Sequence, residues 1–298
     1  MTDTRCGVVA VLGAPNSGKS TLVNQLVGQK VAITSAKAQT TRARMMGIAL
    51  EGPTQMILVD TPGIFAPKRR LDRAMVSAAW EGAEAADAVL LLVDPVKQRR
   101  HELEPVIQAL DQRPERKILV LNKVDVAKKE PLLALAQELG SKVDFAEIYF
   151  VSALTGDGVP EMKAALAGMM PEGPWMYPED QVSDASERLL ATEITREQLY
   201  RQLHEELPYD SAVRPEKYIQ RPDGSVEIHQ QIVVMRDNQR AIVLGKGGSK
   251  IKAIGEAARK ELSELLGQKV HLFLHVKTDE RWSEDKEMFE EMGLDWVR

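Results

Sequence analysis

The chain has 298 residues, 44% hydrophobic and 28% charged, with a formal net charge of −5. That length predicts two domains of about 100–200 residues each, and the apolar fraction is ample for buried cores. The net negative charge excludes a general polycation, so any nucleic-acid contact needs a local basic surface.

One cysteine, Cys6, cannot close an internal disulfide and reads as a buried thiol in a cytoplasmic chain. The N-terminus lacks a basic stretch followed by an apolar core. The longest apolar run, 88–93, is far short of the ~20 residues of a membrane-spanning helix, which leaves only peripheral membrane attachment open.

In chain order, the runs 8–12, 56–59, 89–93, 118–121 and 148–151 predict buried strands. They are short, rich in Val, Ile and Leu, and show no polar alternation, as a parallel sheet covered on both faces requires. Residues 43–50, followed by the turn Glu51-Gly52-Pro53-Thr54, pair with 56–59 as an edge hairpin. The prediction is an α/β domain over 1–172 with a mixed, mostly parallel sheet.

Three prolines and a glycine among 171–178 cannot continue a helix, which marks a linker at 173–182. Trp175 and Tyr177 imply that it is held against a surface. The second domain, 183–298, reads as an amphipathic helix (185–206), two strands (213–220 and 226–235) joined at Asp223-Gly224, and a short helix. A glycine turn, a helix (249–266), a strand (269–276) and a closing helix near 284–292 follow. This order is α+β.

The segment from Gly13 through Ala14, Pro15, Asn16, Ser17 and Gly18 to Lys19 and Ser20 matches G-x-x-x-x-G-K-[ST], with Thr21 next. It follows an apolar strand and opens a helix, as a phosphate-binding loop must. Its glycines let successive N–H groups point at phosphate oxygens, and Lys19 neutralises them. Ser20 is assigned to Mg²⁺ with Asp60, which ends the run 56–59. Asp60-Thr61-Pro62-Gly63 places the Gly63 N–H to sense a γ-phosphate, and Ile64 is assigned with this segment to the nucleotide-binding residues. Thr41, with Thr40 as the alternative, is the hydroxyl of a polar switch loop at 34–42 that reaches the ion when a γ-phosphate is bound. The predicted nucleotides are GTP and GDP, because Asn122-Lys123-Val124-Asp125 matches N-K-x-D. Asp125 can accept from both guanine N1–H and N2–H₂, whereas adenine would leave it unpaired. Asn122 ties loops and meets the base, the Lys123 stem covers the ring, and a backbone N–H of Ser152-Ala153-Leu154 faces guanine O6.

Ras-like GTPases place a water-orienting glutamine after D-x-x-G; here Ile64 stands there. The groups assigned to the reaction are therefore Lys19, Thr41, Asp60, Gly63 and Asn16. Asn16 is the candidate ligand for a K⁺ ion that would supply the missing charge.

The spellings G-A-P-N-S-G-K-S, Q-T-T-R, D-T-P-G-I and P-E-G-P-W-M-Y-P-E-D make the chain similar to the translation-factor-related GTPases, and most closely to the Era family within the TrmE-Era-EngA-EngB-Septin-like superfamily. The resemblance covers essentially the whole chain. Its second half looks like a type II KH domain, with G-x-x-G at Gly245-Lys246-Gly247-Gly248 between two helices. Nine basic against four acidic side chains over 236–277 support that reading. Candidate RNA contacts are Ile242, Gly245, Lys246, Gly247, Gly248, Lys250 and Lys252, with bases in a groove beside Ile242, Ile251 and the strand 226–235. The resemblance implies binding of the 3′ end of 16S ribosomal RNA, a role in 30S subunit assembly, and a cytoplasmic chain partly associated with the inner membrane face. A monomer is expected. The alternative is a GTP-gated protein- or membrane-binding switch that does not touch RNA.

Overall fold

The computed structural model describes residues 4–35, 37, 40–42, 45–84, 86–97 and 100–297, with only the backbone of residue 100. Gln39 of the Q-T-T-R segment and residues 43 and 44 of the predicted edge strand lie outside them. The chain divides into two compact units, the first ending at Asp184 and the second beginning at Ala185.

The first unit is built on strands β1 (Arg5–Gly13), β2 (Met45–Glu51), β3 (Thr54–Asp60), β4 (Ala88–Val93), β5 (Arg116–Leu121) and β6 (Glu147–Phe150). They lie in the order β2-β3-β1-β4-β5-β6. Only β2 runs antiparallel to its neighbour, joined to β3 by the two-residue turn Gly52-Pro53. Helices α1 (Lys19–Val27), α2 (Arg70–Glu84), α3 (Arg100–Asp111) and α4 (Lys129–Gly140) connect the strands, and α5 (Val159–Met169) follows β6.

The uninterrupted apolar runs are explained by a core on each face. Val9, Val11, Leu58, Leu90 and Val120 pack on one side, and Ala10, Leu12, Val89, Leu91 and Leu119 on the other. All ten side chains have no exposed area. Full burial of each such Leu or Val contributes about 1.5–3 kcal/mol.

β6 departs from the expectation of a buried strand. It is the edge of the sheet, with Ile148 and Phe150 exposed. The stretch expected as a linker lies as a strap on the first unit. Gln55, fully buried, accepts from the N–H groups of Met176 and Tyr177 and donates to Tyr177 O. Trp175 Nε1 donates to Pro53 O at 3.0 Å, and Ser183 Oγ to Met46 O at 2.9 Å.

The second unit runs α6 (Glu187–Gln202), β7 (Ser211–Gln220), β8 (Val226–Val234), α7 (Asp237–Leu244), α8 (Ser249–Leu266), β9 (Val270–Thr278) and α9 (Lys286–Glu291). β8 is central, antiparallel to β7 and parallel to β9. It alternates strictly from Val226 to Ile232, with Val226, Ile228, Gln230 and Ile232 buried beneath the helices. Leu199, Leu203, Ile232, Val243, Ile254 and Val276 form the core of this unit. α6 is not amphipathic as expected. Residues 191–200 are buried without a break, and the charged Arg196 is met by Glu193 and stacked on Tyr200.

Candidate functional site

The loops that follow β1, β3, β4, β5 and β6 emerge where open α/β sheets bind ligands, at the C-terminal strand ends. Between β1 and α1 the backbone takes a path that side chains resist. Gly13 has φ +151, and a Cβ there would sit 2.3 Å from Leu92 O; Gly18 has φ +100, and a Cβ there would sit 2.3 Å from Asn122 Nδ2. Asn16 is left-handed at φ 64, a conformation asparagine tolerates better than most residues. Lys19 folds back across the turn, its Nζ donating to Gly13 O at 3.2 Å and Ala14 O at 3.0 Å. Burial lowers its pKa from 10.5 to about 8, opposed by the charge of Asp60. Ser17 Oγ is buried with no hydrogen-bond partner among the described residues. A buried ammonium, an orphaned hydroxyl and a helix N-terminus together suit an anion. Ala14, Pro15 and Thr21 complete the loop and the first turn of α1, with Pro15 and Thr21 lining the same hollow.

Three oxygens converge beside it. Ser20 Oγ lies 2.7 Å from Asp60 Oδ2, Thr41 Oγ1 lies 3.1 Å from the same oxygen, and the two hydroxyls are 2.9 Å apart. An octahedral Mg²⁺ with bonds of about 2.0–2.1 Å keeps adjacent oxygen ligands ~2.9 Å apart. The trio therefore fits such an ion in both donor chemistry and spacing. Thr40 is elsewhere, its hydroxyl donating to Lys37 O at 2.8 Å. Geometry thus separates two threonines that spacing could not.

The segment after Asp60 is tied to the first loop. Thr61 Oγ1 donates to Val11 O at 2.7 Å, and Ile64 N to Gly13 O at 3.0 Å. A Cβ on Gly63 would meet Pro15 N at 2.7 Å, so only glycine permits this approach; Pro62 is buried beside it. Ile64 must be corrected as a candidate site residue. Its side chain is packed in the core with Leu12 and Ala79, and its N–H is already donated.

At the other end, Asn122 uses its whole amide to hold loops: Nδ2 donates to Ser17 O at 2.8 Å, and Oδ1 accepts from Ala153 N at 2.9 Å. Its expected contact with a base is therefore secondary to this tie. Lys123, left-handed at φ 64, donates through Nζ to Asn16 O. Val124 N donates to Val151 O, and Asp125 is exposed at the mouth. Ser152 N is engaged by Asp157 O, whereas Leu154 is 79% exposed. Sequence reasoning missed Asp94, a buried carboxylate at the end of β4 that contacts Lys123 Nζ at 2.6 Å. The available signal was its position, immediately after a fully apolar strand.

In the second unit the G-x-x-G turn joins α7 to α8. Gly245 (φ 71), Gly247 (φ 61) and Gly248 (φ 80) are all left-handed, and Lys246 and Lys252 are exposed. Lys250 is half-buried, and its Nζ donates to Gln202 O at 3.4 Å, so it braces the turn on α6 as well as carrying charge. The apolar groove differs from the expected one. β8 is flanked on both sides, so the open groove runs between α8 and the edge strand β9, lined by Ile251, Lys252, Arg259, Leu272, Phe273 and Leu274. Ile242 instead lines a separate hollow with Gln202, Asn238 and Lys250.

The family described as 50S ribosome-binding GTPase matches residues 8–123, and the KH domain family matches 206–283. The chain is 84% identical to GTPase Era of Erythrobacter litoralis over 99% of its own length and 98% of that protein's. The chain belongs to the Era family of GTPases. GTPase Era of Afipia carboxidovorans is 57% identical, with 99% and 96% covered. Among solved structures, Era in complex with MgGDPNP and nucleotides 1506–1542 of 16S ribosomal RNA has a TM-score of 0.92 at 36% identity, with 97% of this chain and 99% of that one covered. An Aquifex aeolicus Era variant bound to GDP and AlF₄⁻ has a TM-score of 0.91 at the same identity and coverage. For this Era-family GTPase, the P-loop architecture and the KH-type second unit thus have full-length counterparts.

Proposed function

We propose that GTP hydrolysis at the loop Gly13–Ser20 gates the grip of the second unit on the 3′ end of 16S ribosomal RNA, as a step in 30S subunit assembly. The observation that carries the gate is the convergence of Thr41, from the switch loop, on Ser20 and Asp60. The RNA assignment draws its support from the left-handed glycine turn with its exposed lysines and from the likeness to the Era–RNA complex. A cytoplasmic monomer with peripheral contact at the inner membrane rests on family resemblance alone.

In this reading Ser20, Thr41 and Asp60 would hold Mg²⁺, which would supply positive charge at the phosphates. Lys19 and the N–H groups of the loop bind the β- and γ-phosphates, and Gly63 lies against Pro15 so that its segment senses the γ-phosphate. Asp125 and the turn 152–154 read guanine. Water attacks the γ-phosphorus, the bond to the β-phosphate oxygen breaks, and inorganic phosphate leaves. Ile64 is locked in the core and cannot orient that water. Asn16, exposed and left-handed beside the phosphates, is the proposed ligand for K⁺, which would contribute charge there.

GTP turnover tests both parts. Thr41→Ala is expected to lower kcat about a hundredfold, the scale of one lost transition-state contact, with GDP affinity little changed. Wild-type turnover is expected to be faster in K⁺ than in Na⁺, and that difference should vanish in Asn16→Ala. Unimpaired turnover in Thr41→Ala contradicts the gate; equal rates in the two salts contradict the K⁺ site.

A further inference from the structure

Asp94 stands at the point where β4 gives way to a turn, and both of its carboxylate oxygens are engaged. Oδ1 accepts from the backbone N–H groups of Val96 at 2.9 Å and Lys97 at 3.1 Å, and Oδ2 meets Lys123 Nζ at 2.6 Å. The carboxylate is buried while the lysine is partly exposed. Lys123 reaches it from a left-handed backbone, and the same ammonium donates to Asn16 O at 2.8 Å. Asn16 is itself left-handed. One cation thus joins the end of β4, the loop after β5 and the phosphate loop. The neighbouring Asn122 holds the next carbonyl, Ser17 O. Two adjacent residues of N-K-x-D therefore grip two adjacent carbonyls of the phosphate loop.

We infer that Asp94 is a positioning residue for guanine nucleotides: it fixes Lys123 so that the stem lies along the base face while the ammonium pins the phosphate loop through Asn16. The inference rests on reading 122–125 as the base-recognition loop. Its physical basis is entropy and charge. A lysine stem has several rotatable bonds and a strongly hydrated head, and one carbonyl at a partly exposed site would not hold it against water. A buried carboxylate at 2.6 Å does, through a short charge-assisted hydrogen bond. The base and phosphate loops are then pre-assembled, and a nucleotide does not have to order them on binding.

The isosteric change Asp94→Asn separates this role from turn capping. An amide oxygen can still accept from Val96 and Lys97, but the amide NH₂ then presents donors to the ammonium. The measurement is the dissociation rate of a fluorescent GDP from the full chain, with the melting temperature of the nucleotide-free protein as a control. Dissociation from Asp94→Asn is expected to be about tenfold faster, while the nucleotide-free protein still melts cooperatively above the assay temperature. Lys123→Met keeps the stem without its charge and is expected to release GDP at least as fast. Asp94→Asn in the Lys123→Met background should then add less than about twofold, because its effect passes through the ammonium. Wild-type dissociation in Asp94→Asn, or effects that multiply in the double variant, would overturn the inference. Failure of the wild-type chain to bind GDP would instead overturn the guanine-nucleotide reading.

Discussion

Lys19 is where burial and charge conflict most directly. Its ammonium is enclosed, desolvation holds its pKa at about 8, and Asp60 offsets only part of that cost. The unfolded chain keeps an ordinary lysine near 10.5, so between pH 8 and 10.5 it binds more protons than the folded form. Stability of the nucleotide-free protein should therefore gain from this group as pH rises through that window. A bound phosphate reverses the balance by favouring the charged form. GDP binding at pH 8.5 is then expected to take up a fraction of a proton, because a bound phosphate raises the lysine's pKa from about 8. Calorimetry in two buffers of different ionisation enthalpy reads this directly, and a heat independent of buffer would contradict it. The phosphate motif was legible because its residues are contiguous. The choice of Thr41 over Thr40 was not, since it depends on where a loop folds: Thr40 is capped on Lys37 O while Thr41 reaches Ser20. Asp94 was hidden because its partner lies 29 residues away and is reached only through a left-handed backbone at Lys123.

Elements follow the apolar runs closely where a strand is covered on both faces, as in β1, β3, β4 and β5. β6 shows the limit of that signal. Its composition suits burial, but an edge position is a property of the sheet's order, and Ile148 and Phe150 are exposed there. The prolines of 171–178 correctly forbid a helix, yet nothing local reveals that Gln55, buried in β3, would bind this strap through three hydrogen bonds. In the second unit the strand order places β9, not β8, at the open edge, which moves the groove to α8 and β9. The G-x-x-G turn there depends on conformation. A left-handed non-glycine residue costs roughly 1–2 kcal/mol, but a Cβ on Gly248 would meet nothing within 4 Å. Gly248→Asp should therefore spare the fold while adding a negative charge where a phosphate backbone is expected. RNA crosslinking is expected to be lost and GDP affinity retained; undiminished crosslinking would favour a switch that does not touch RNA.

At the scale of the whole molecule, a phosphate site and a glycine-turn site are carried by two separately packed units in a chain of net charge −5. The excess of basic residues over 236–277 makes that stretch a local basic surface within a chain that is otherwise acidic, so RNA affinity should fall as salt rises. The proposed function requires more than two sites in one chain. It requires that a threonine seated on Ser20 and Asp60 in the first unit change how tightly the second grips RNA, which is a coupling free energy between sites. The direct test is the Kd of the full-length chain for a 16S 3′-end oligonucleotide, measured at one salt concentration with a non-hydrolysable GTP analogue and with GDP. The proposed switch predicts binding at least fivefold tighter with the analogue, the lower end of the usual coupling range, and loss of that difference in Thr41→Ala. Equal affinity in the two nucleotide states, with both nucleotides shown to be bound, would contradict it.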